Sequence, residues 1–314
     1  MEDSISKNMK KNNKKKKMEI LSLIKESNEN LDLSFKLKEM DFNSFIETLK
    51  SNERLKRINL SYNPIGVEGM KHLSQYFETN RSLKTINLGH CSIGDKAMEY
   101  LSDSLTSQSS LEDLALNSNI FRTDGIKAFS EYLKVSCSLK FVHFGYNKIG
   151  GEGMKYLSES LKRNSSLREI IIENNKINDQ DVKFLLECLS SNYTLKKIDI
   201  SSNKISKKMG DIVVKYMMAK HSIESFKIYS NYDCIVKKEM QEINKKIDFL
   251  CSCNIEWTPI FHHNLFKEFK INVFTFVCCL KWKQIDPIFK IPKFVLFEII
   301  KRMDRKSFLR AFFK

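Results

Sequence analysis

No run of apolar residues in this 314-residue chain is long enough to cross a bilayer. A membrane helix takes about 20 such residues, and the longest run, 271–280, falls well short. The opening, MEDSISKNMKKNNKKKK, is polar, so no signal peptide is expected in it. Eight cysteines in a chain of this length are too few for a disulfide-stapled scaffold. There is no glycine-rich phosphate loop, and no Ser–His–acid set at a known spacing. Nucleotide and acyl-transfer chemistry thus lack their usual signatures, and no cofactor or catalytic residue is assigned. The composition, 42% hydrophobic and 29% charged, suffices to bury a continuous core and fits a cytoplasmic protein.

What is present is a period. Leu55, Leu83, Leu111, Leu139, Leu167 and Leu195 stand 28 residues apart without insertion or deletion. A fixed period in this range means stacked units, each of which buries its apolar face against the next. Three residues on comes Ile58, Ile86, Leu114, Val142, Ile170 or Ile198. Two further comes Leu60, Leu88, Leu116, Phe144, Ile172 or Ile200. That alternation is the mark of a short strand with one buried face. Next stands Asn63, Asn119, Asn147, Asn175 or Asn203, with Cys91 in the second unit. An asparagine amide there can bond the backbone of the turn and stack into a ladder. Each unit then continues as a helix with one apolar stripe, such as Met70, Leu73 and Phe77. Ser74, Ser102, Ser130 and Ser158 are small enough to let neighbouring helices pack closely.

The unit LKRINLSYNPIGVEGMKHLSQYFETNRS resembles the 28-residue leucine-rich repeat of the ribonuclease-inhibitor type. That subtype is also found in innate-immune receptor arrays and in the Ran GTPase-activating protein. The resemblance implies an α/β solenoid, with parallel strands on a concave face and helices outside. Six units fill 55–222. An N-terminal cap and degenerate repeat is expected over 18–54, where Leu31 and Leu33 read as a degraded strand and Phe42, Phe45 and Leu49 as a helix stripe. A second degenerate repeat is expected over 223–250, on Ile223, Phe226, Ile228 and Asn231.

The net charge of +15 belongs to the ends. Residues 1–17 carry +5 and residues 251–314 carry +7, leaving +3 between them. The first segment reads as a disordered Lys/Asn-rich tail. Its Lys10, Lys11, Lys14, Lys15, Lys16 and Lys17 also fit a nuclear import signal. No aromatic is interleaved with these lysines, so no specific nucleic-acid partner is expected.

The residues flanking the buried pair of each strand point to the concave face. Most are polar. Phe141, His143, Tyr146 and Ile171 are not, and they fall on adjacent units. Asp113, Glu169, Glu173 and Asp199 surround them, and Tyr62 and His90 extend the surface toward the N-terminus. An apolar cluster with an acidic rim suits a protein partner with basic groups. The Ran GTPase-activating resemblance implies GTPase regulation as an alternative, although the C-terminus is basic here where that family's is strongly acidic.

From Cys251 the repeat is gone and phenylalanine becomes frequent. Residues 251–314 read as a small helical segment. One role is to cap the open end of the solenoid. The stretch IPKFVLFEIIKRMD also resembles the opening of F-box and SOCS-box segments, which recruit cullin ubiquitin ligases. That resemblance implies cullin adaptor proteins as partners, docking on Ile291, Pro292, Leu296 and Ile300. Cys251, Cys253, His262 and His263 do not have the spacing of a zinc site, and adjacent histidines on a helix point about 100° apart. Protein purified without chelator is therefore expected to hold zinc at well below one per chain. Stoichiometric zinc by elemental analysis would contradict this.

Overall fold

The computed structural model describes residues 2–38, 40–219 and 223–229. The chain divides into two compact units, Met1–Ile255 and Glu256–Lys314, and every described residue belongs to the first. Strands and helices alternate along it. They are α1 (Glu2–Glu26), β1 (Asn30–Asp32), α2 (Phe42–Lys50), β2 (Arg57–Asn59), α3 (Gly66–Thr79), β3 (Thr85–Asn87), α4 (Asp95–Leu105) and β4 (Asp113–Ala115). There follow α5 (Thr123–Val135), β5 (Phe141–His143), α6 (Gly150–Arg163), β6 (Glu169–Ile171), α7 (Asp179–Ser191), β7 (Lys197–Asp199), α8 (Lys207–Ala219) and β8 (Ser225–Lys227).

The eight strands form one parallel sheet in chain order. Its register is the sequence period made physical. Ile58 lies opposite Ile86, Ile86 opposite Leu114, and so on to Ile198 opposite Phe226. The central residue of every strand is buried and its two neighbours are not. Parallel strands lie ~4.8 Å apart, whereas packed helices need ~8–10 Å. In such a stack the strand side is the more closely spaced one.

Two strands extend the array beyond the six regular units. Leu31 pairs with Ile58, and Phe226 with Ile198. Phe45 and Leu49 are buried on α2, and Ile223 and Ile228 are buried near β8. The N-terminus differs from expectation: residues 2–26 form helix α1 where a disordered tail over 1–17 was anticipated. No glycine or proline interrupts that stretch. Its end is anchored by Ile20 and Ile24, spaced i, i+4 and both buried in the core. Asn231 and all of 251–314, including Ile291, Pro292, Leu296 and Ile300, lie outside the described residues.

Two polar ladders hold the units in step. The first is the asparagine column. Asn119 Nδ2 donates to the carbonyls of Leu88 and Leu116, and its Oδ1 accepts from the backbone of Cys91 (2.9 Å) and Ile93 (3.0 Å). Asn203 repeats this on Ile172, Ile200, Asn175 and Ile177. One buried amide thus pairs backbone groups of two adjacent units. Cys91 stands in for the amide: its thiol lies 3.2 Å from the Leu60 carbonyl, and burial pushes its pKa up to about 12. The second ladder stands where helix returns to strand. Asn164 and Asn192 each donate to the previous unit's backbone and accept from their own. Gln108 replaces asparagine in this row and reaches the Phe77 carbonyl.

Helix packing follows the same register. Ser74, Ser102, Ser130 and Ser158 are all buried. A second row alternates large and small: Tyr76, Ser104, Tyr132 and Ser160 are buried on successive helices. Helix starts are tied across units too. Asp95 on α4 accepts from the backbone of Arg122 and Gly125 at the start of α5, where the amides are otherwise unpaired.

The asparagine column is not uniform, and this makes it testable. Asn147 donates to Leu116 and Phe144, yet its Oδ1 has no partner. Asn119→Ala strands the amides of Cys91 and Ile93 and the carbonyl of Leu88, whereas Asn147→Ala strands neither of its carbonyls, because Leu116 keeps Asn119 and Phe144 keeps Asn175. Asn119→Ala is therefore expected to cost about 3 kcal/mol more than Asn147→Ala in chemical denaturation, at about 1 kcal/mol for each buried group left unpaired. Equal losses would contradict the bonding pattern.

Candidate functional site

The face of the sheet turned away from the helices carries three rows of side chains. The row at the first strand residue includes Asp113, Phe141, Glu169 and Lys197; the row at the last includes Asn59, Asn87, Ala115, His143, Ile171 and Asp199. The third row, two residues later, is where the sequence expectation of an exposed position is corrected. Ser61, Gly89, Gly145 and Ser201 are buried there. At Gly145 a Cβ would lie 2.7 Å from the Glu173 and His143 side chains, so the glycine lets these cross the strand end.

The last-residue row has a local task that polarity alone did not reveal. Asn59, Asn87 and Asp199 each accept the backbone N–H two residues on, at 2.9–3.1 Å, and so close the strand with a side-chain turn. Asp32 does the same in β1. In the three central strands this residue type is missing. Ala115, His143 and Ile171 replace it.

The anticipated cluster is assembled in part. Phe141, His143 and Ile171 are half-buried on adjacent strands β5 and β6. The Phe141 and His143 rings are 6.5 Å apart, and His143 lies opposite Ile171 in the register. His143 Nε2 is 3.4 Å from Glu173 Oε1. The acidic rim is partly engaged: Glu169 is 3.5 Å from Lys197 Nζ, and Asp113 accepts from Thr85 at 3.1 Å. Tyr146 stands apart. It sits in the turn after β5, half-exposed, and no ring contact links it to Phe141 or His143 among the described residues. A shallow depression lies next to the cluster, lined by Glu169, Ile171, Lys197, Asp199, Ser225 and Lys227.

Tyr62 and His90 belong to another assembly. Their rings stack at 4.2 Å and 10°, and Phe35 stacks on Tyr62 at 4.3 Å and 12°. Phe35 was missed by sequence reasoning. Its signal was available, since it follows the degraded strand as Tyr62 follows β2. All three residues have φ near +60°, as do Ser118, Tyr146, Asn174 and Ser202 in the later units. This left-handed conformation costs roughly 1–2 kcal/mol for a residue with a Cβ. It is imposed by backbone bonds between units, such as Tyr62 N–H to Gly89 and His90 N–H to Asn117.

At the opposite end of the strands, Glu112 bridges Lys84 and Lys140 from the units on either side. Hydrogen bonds from Lys140 and Lys84 pull its pKa down to about 2. Among the described residues, no three His, Cys, Asp or Glu side chains lie close enough to hold a metal ion. No described helix is long and apolar enough to cross a membrane.

A family model described as "Leucine Rich repeat" matches residues 51–74, 79–102 and 135–158. No curated protein matches the chain. Among solved structures, it is similar to leiomodin-1 actin-binding site 2, at 18% identity, covering 57% of this chain and 98% of that one, with a TM-score of 0.42. The tropomodulin C-terminal domain of Caenorhabditis elegans aligns at 13% identity over 48% of this chain and 92% of that one, TM-score 0.39. An internalin of Listeria monocytogenes aligns at 17% identity over 63% of this chain and 55% of that one, TM-score 0.38. The alternation of helices with one open parallel sheet, together with the matched segments, makes the fold a leucine-rich repeat solenoid.

The Glu112 bridge has a pH signature. A carboxylate whose folded pKa is depressed adds stability above its ordinary titration range and loses it as pH falls toward about 2. Carboxyl NMR is expected to show Glu112 titrating near 2, and Lys84→Ala with Lys140→Ala to return it to the ordinary carboxylate range. An ordinary midpoint in the unmodified chain would contradict the bridge.

Proposed function

We propose that the chain is a non-enzymatic scaffold of ribonuclease-inhibitor-type repeats that captures a protein partner on the face of β4–β6. One observation carries this reading. Strands β1, β2, β3 and β7 end in Asp or Asn side chains that close their own turns, and the three central strands give up that bond for Ala115, His143 and Ile171. β8 also lacks it, ending in Lys227, but only on the central strands do apolar replacements lie beside a second large apolar side chain, Phe141. That pattern suits a patch completed by a partner.

The chemistry of the rim indicates the partner's character. Glu169 and Glu173 lie beside the apolar patch, with Asp113 one strand before it. Basic groups on a partner would meet these carboxylates and set its orientation, and the burial of Phe141 and Ile171 would supply affinity. Completing the burial of each is worth on the order of 1 kcal/mol at about 25 cal/mol per Å². The 28-residue period supports the repeat subtype. The separation of strand-face residues into turn closers and apolar replacements supports binding rather than catalysis.

The test uses the partner that the full chain retains from cells. Phe141→Ala and Ile171→Ser are expected to weaken its capture with thermal stability nearly unchanged. Phe144→Ala is the contrast. Its ring is fully buried and packs edge-on against Phe121 and Phe129, so its loss should cost ~3–5 kcal/mol of stability. Undiminished capture by Phe141→Ala, or destabilisation as large as that of Phe144→Ala, would refute the proposed face.

A further inference from the structure

The turns that leave the strands form a rim of their own, outside the β4–β6 patch, and its composition changes along the array. In the first units it is aromatic. Phe35, Tyr62 and His90 form a continuous exposed stack, with Phe35 at 65% and Tyr62 at 46% exposure. In the later units it is mainly basic, with Tyr146 the aromatic residue beside the lysines. Two residues beyond the left-handed position stand Lys148, Lys176 and Lys204, at one 28-residue step each, all exposed. None of the three lies within ion-pair distance of a carboxylate among the described residues. Beside Lys204, which bridges Asn178, Asp179 is engaged with Ser206 at the start of α8.

This rim is rigid. Tyr62, His90 and Tyr146 donate backbone N–H bonds to the following unit, and Lys148 and Lys204 donate theirs to the preceding unit. Aromatic rings are held at positive φ there although Asn174 shows that asparagine, a residue more at home in that conformation, can fill the same position. The rings gain little burial in return. Strain without burial points to a surface kept for recognition.

We propose that this rim is a docking strip for an extended peptide segment. The segment would carry an aromatic or large apolar anchor for the Phe35–Tyr62–His90 stack and carboxylates for the lysine row. Its spacing follows from the array. From His90 to Lys148 is two units, roughly 10 Å at ~4.8 Å per strand. Lys204 lies two units further on. At ~3.3 Å per extended residue, the carboxylates fall about three to six residues from the anchor, in either chain direction. A single-stranded nucleic acid fits less well. Its bases need open ring faces interleaved with cations. Here the inner faces of the three stacked rings are closed on one another, and a single ring, Tyr146, stands among the lysines.

The test is selection of phage-displayed random 12-residue peptides on the full chain. Enrichment of an aromatic residue followed or preceded at three to six positions by two or more acids is expected. The selected peptides should lose about tenfold or more in affinity against Tyr62→Asn with His90→Asn, a loss typical of removing a recognition anchor. The same is expected against Lys148→Glu with Lys204→Glu. Asparagine is tolerated at positive φ, so the first pair should hold or raise the thermal midpoint. Phe141→Ala should leave peptide binding intact, which separates this strip from the β4–β6 face. The proposal is overturned if no peptide enriches, if enriched peptides lack the pattern, or if their binding ignores both variant pairs. A 12-nucleotide single-stranded RNA that binds more tightly than the peptides, with the same variant dependence, would overturn it in favour of nucleic acid.

Discussion

Each described unit leaves its strand through a turn whose inner backbone groups are buried and cannot all be satisfied locally. The column from Asn63 to Asn203 answers that constraint by sharing. Asn119 and Asn203 each bind carbonyls in two units and amides in the unit before. A buried amide N–H or carbonyl left alone costs about 1–3 kcal/mol, so no unit is at ease without its neighbour. The fixed step of 28 residues follows: an insertion would move one amide out of reach of four groups. The left-handed turn residues and the strictly sequential sheet order are consequences of the same lateral bonding.

Within that frame the exposed positions are free to differ, and the difference is informative. Where the last strand residue is Asn59, Asn87 or Asp199, it serves its own turn. Where it is Ala115, His143 or Ile171, that service is gone and the face becomes apolar. The rim beyond the strands also varies, from a stack of three rings at one end to a lysine row that includes Tyr146 at the other. A repeat array offers separate surfaces because its stability resides in the interior ladders and its surface rows can vary unit by unit.

Much of the fold was legible in the sequence. The leucine starts, the alternating strand residues and the asparagine column all carry the period, and each is a core position where chemistry is tightly constrained. The surface was less legible for definite reasons. Asn87 and Asp199 read as exposed polar residues because nothing in composition distinguishes a solvent-facing amide from one that closes a turn. Gly89 and Gly145 read as surface positions, yet the side chains of Asn117 and Glu173 pass over them from the next strand. Tyr146 read as part of the apolar cluster because its positive φ, which turns it onto the rim, has no signature in an aromatic residue. The α1 helix was hidden by its lysine and asparagine content; what anchors it is only the pair Ile20 and Ile24 at its far end.

The shared asparagine bonds are the claim on which the rest depends, and amide hydrogen exchange on the full chain tests them most directly. The N–H groups of Cys91, Ile93, Asn175 and Ile177 lie in turns, yet they donate to Asn119 or Asn203 Oδ1. They should be protected as strongly as the strand-to-strand amides of Leu60, Leu88 and Ile172. Exchange at the rate of exposed loop amides would show that the ladder does not bind the units together.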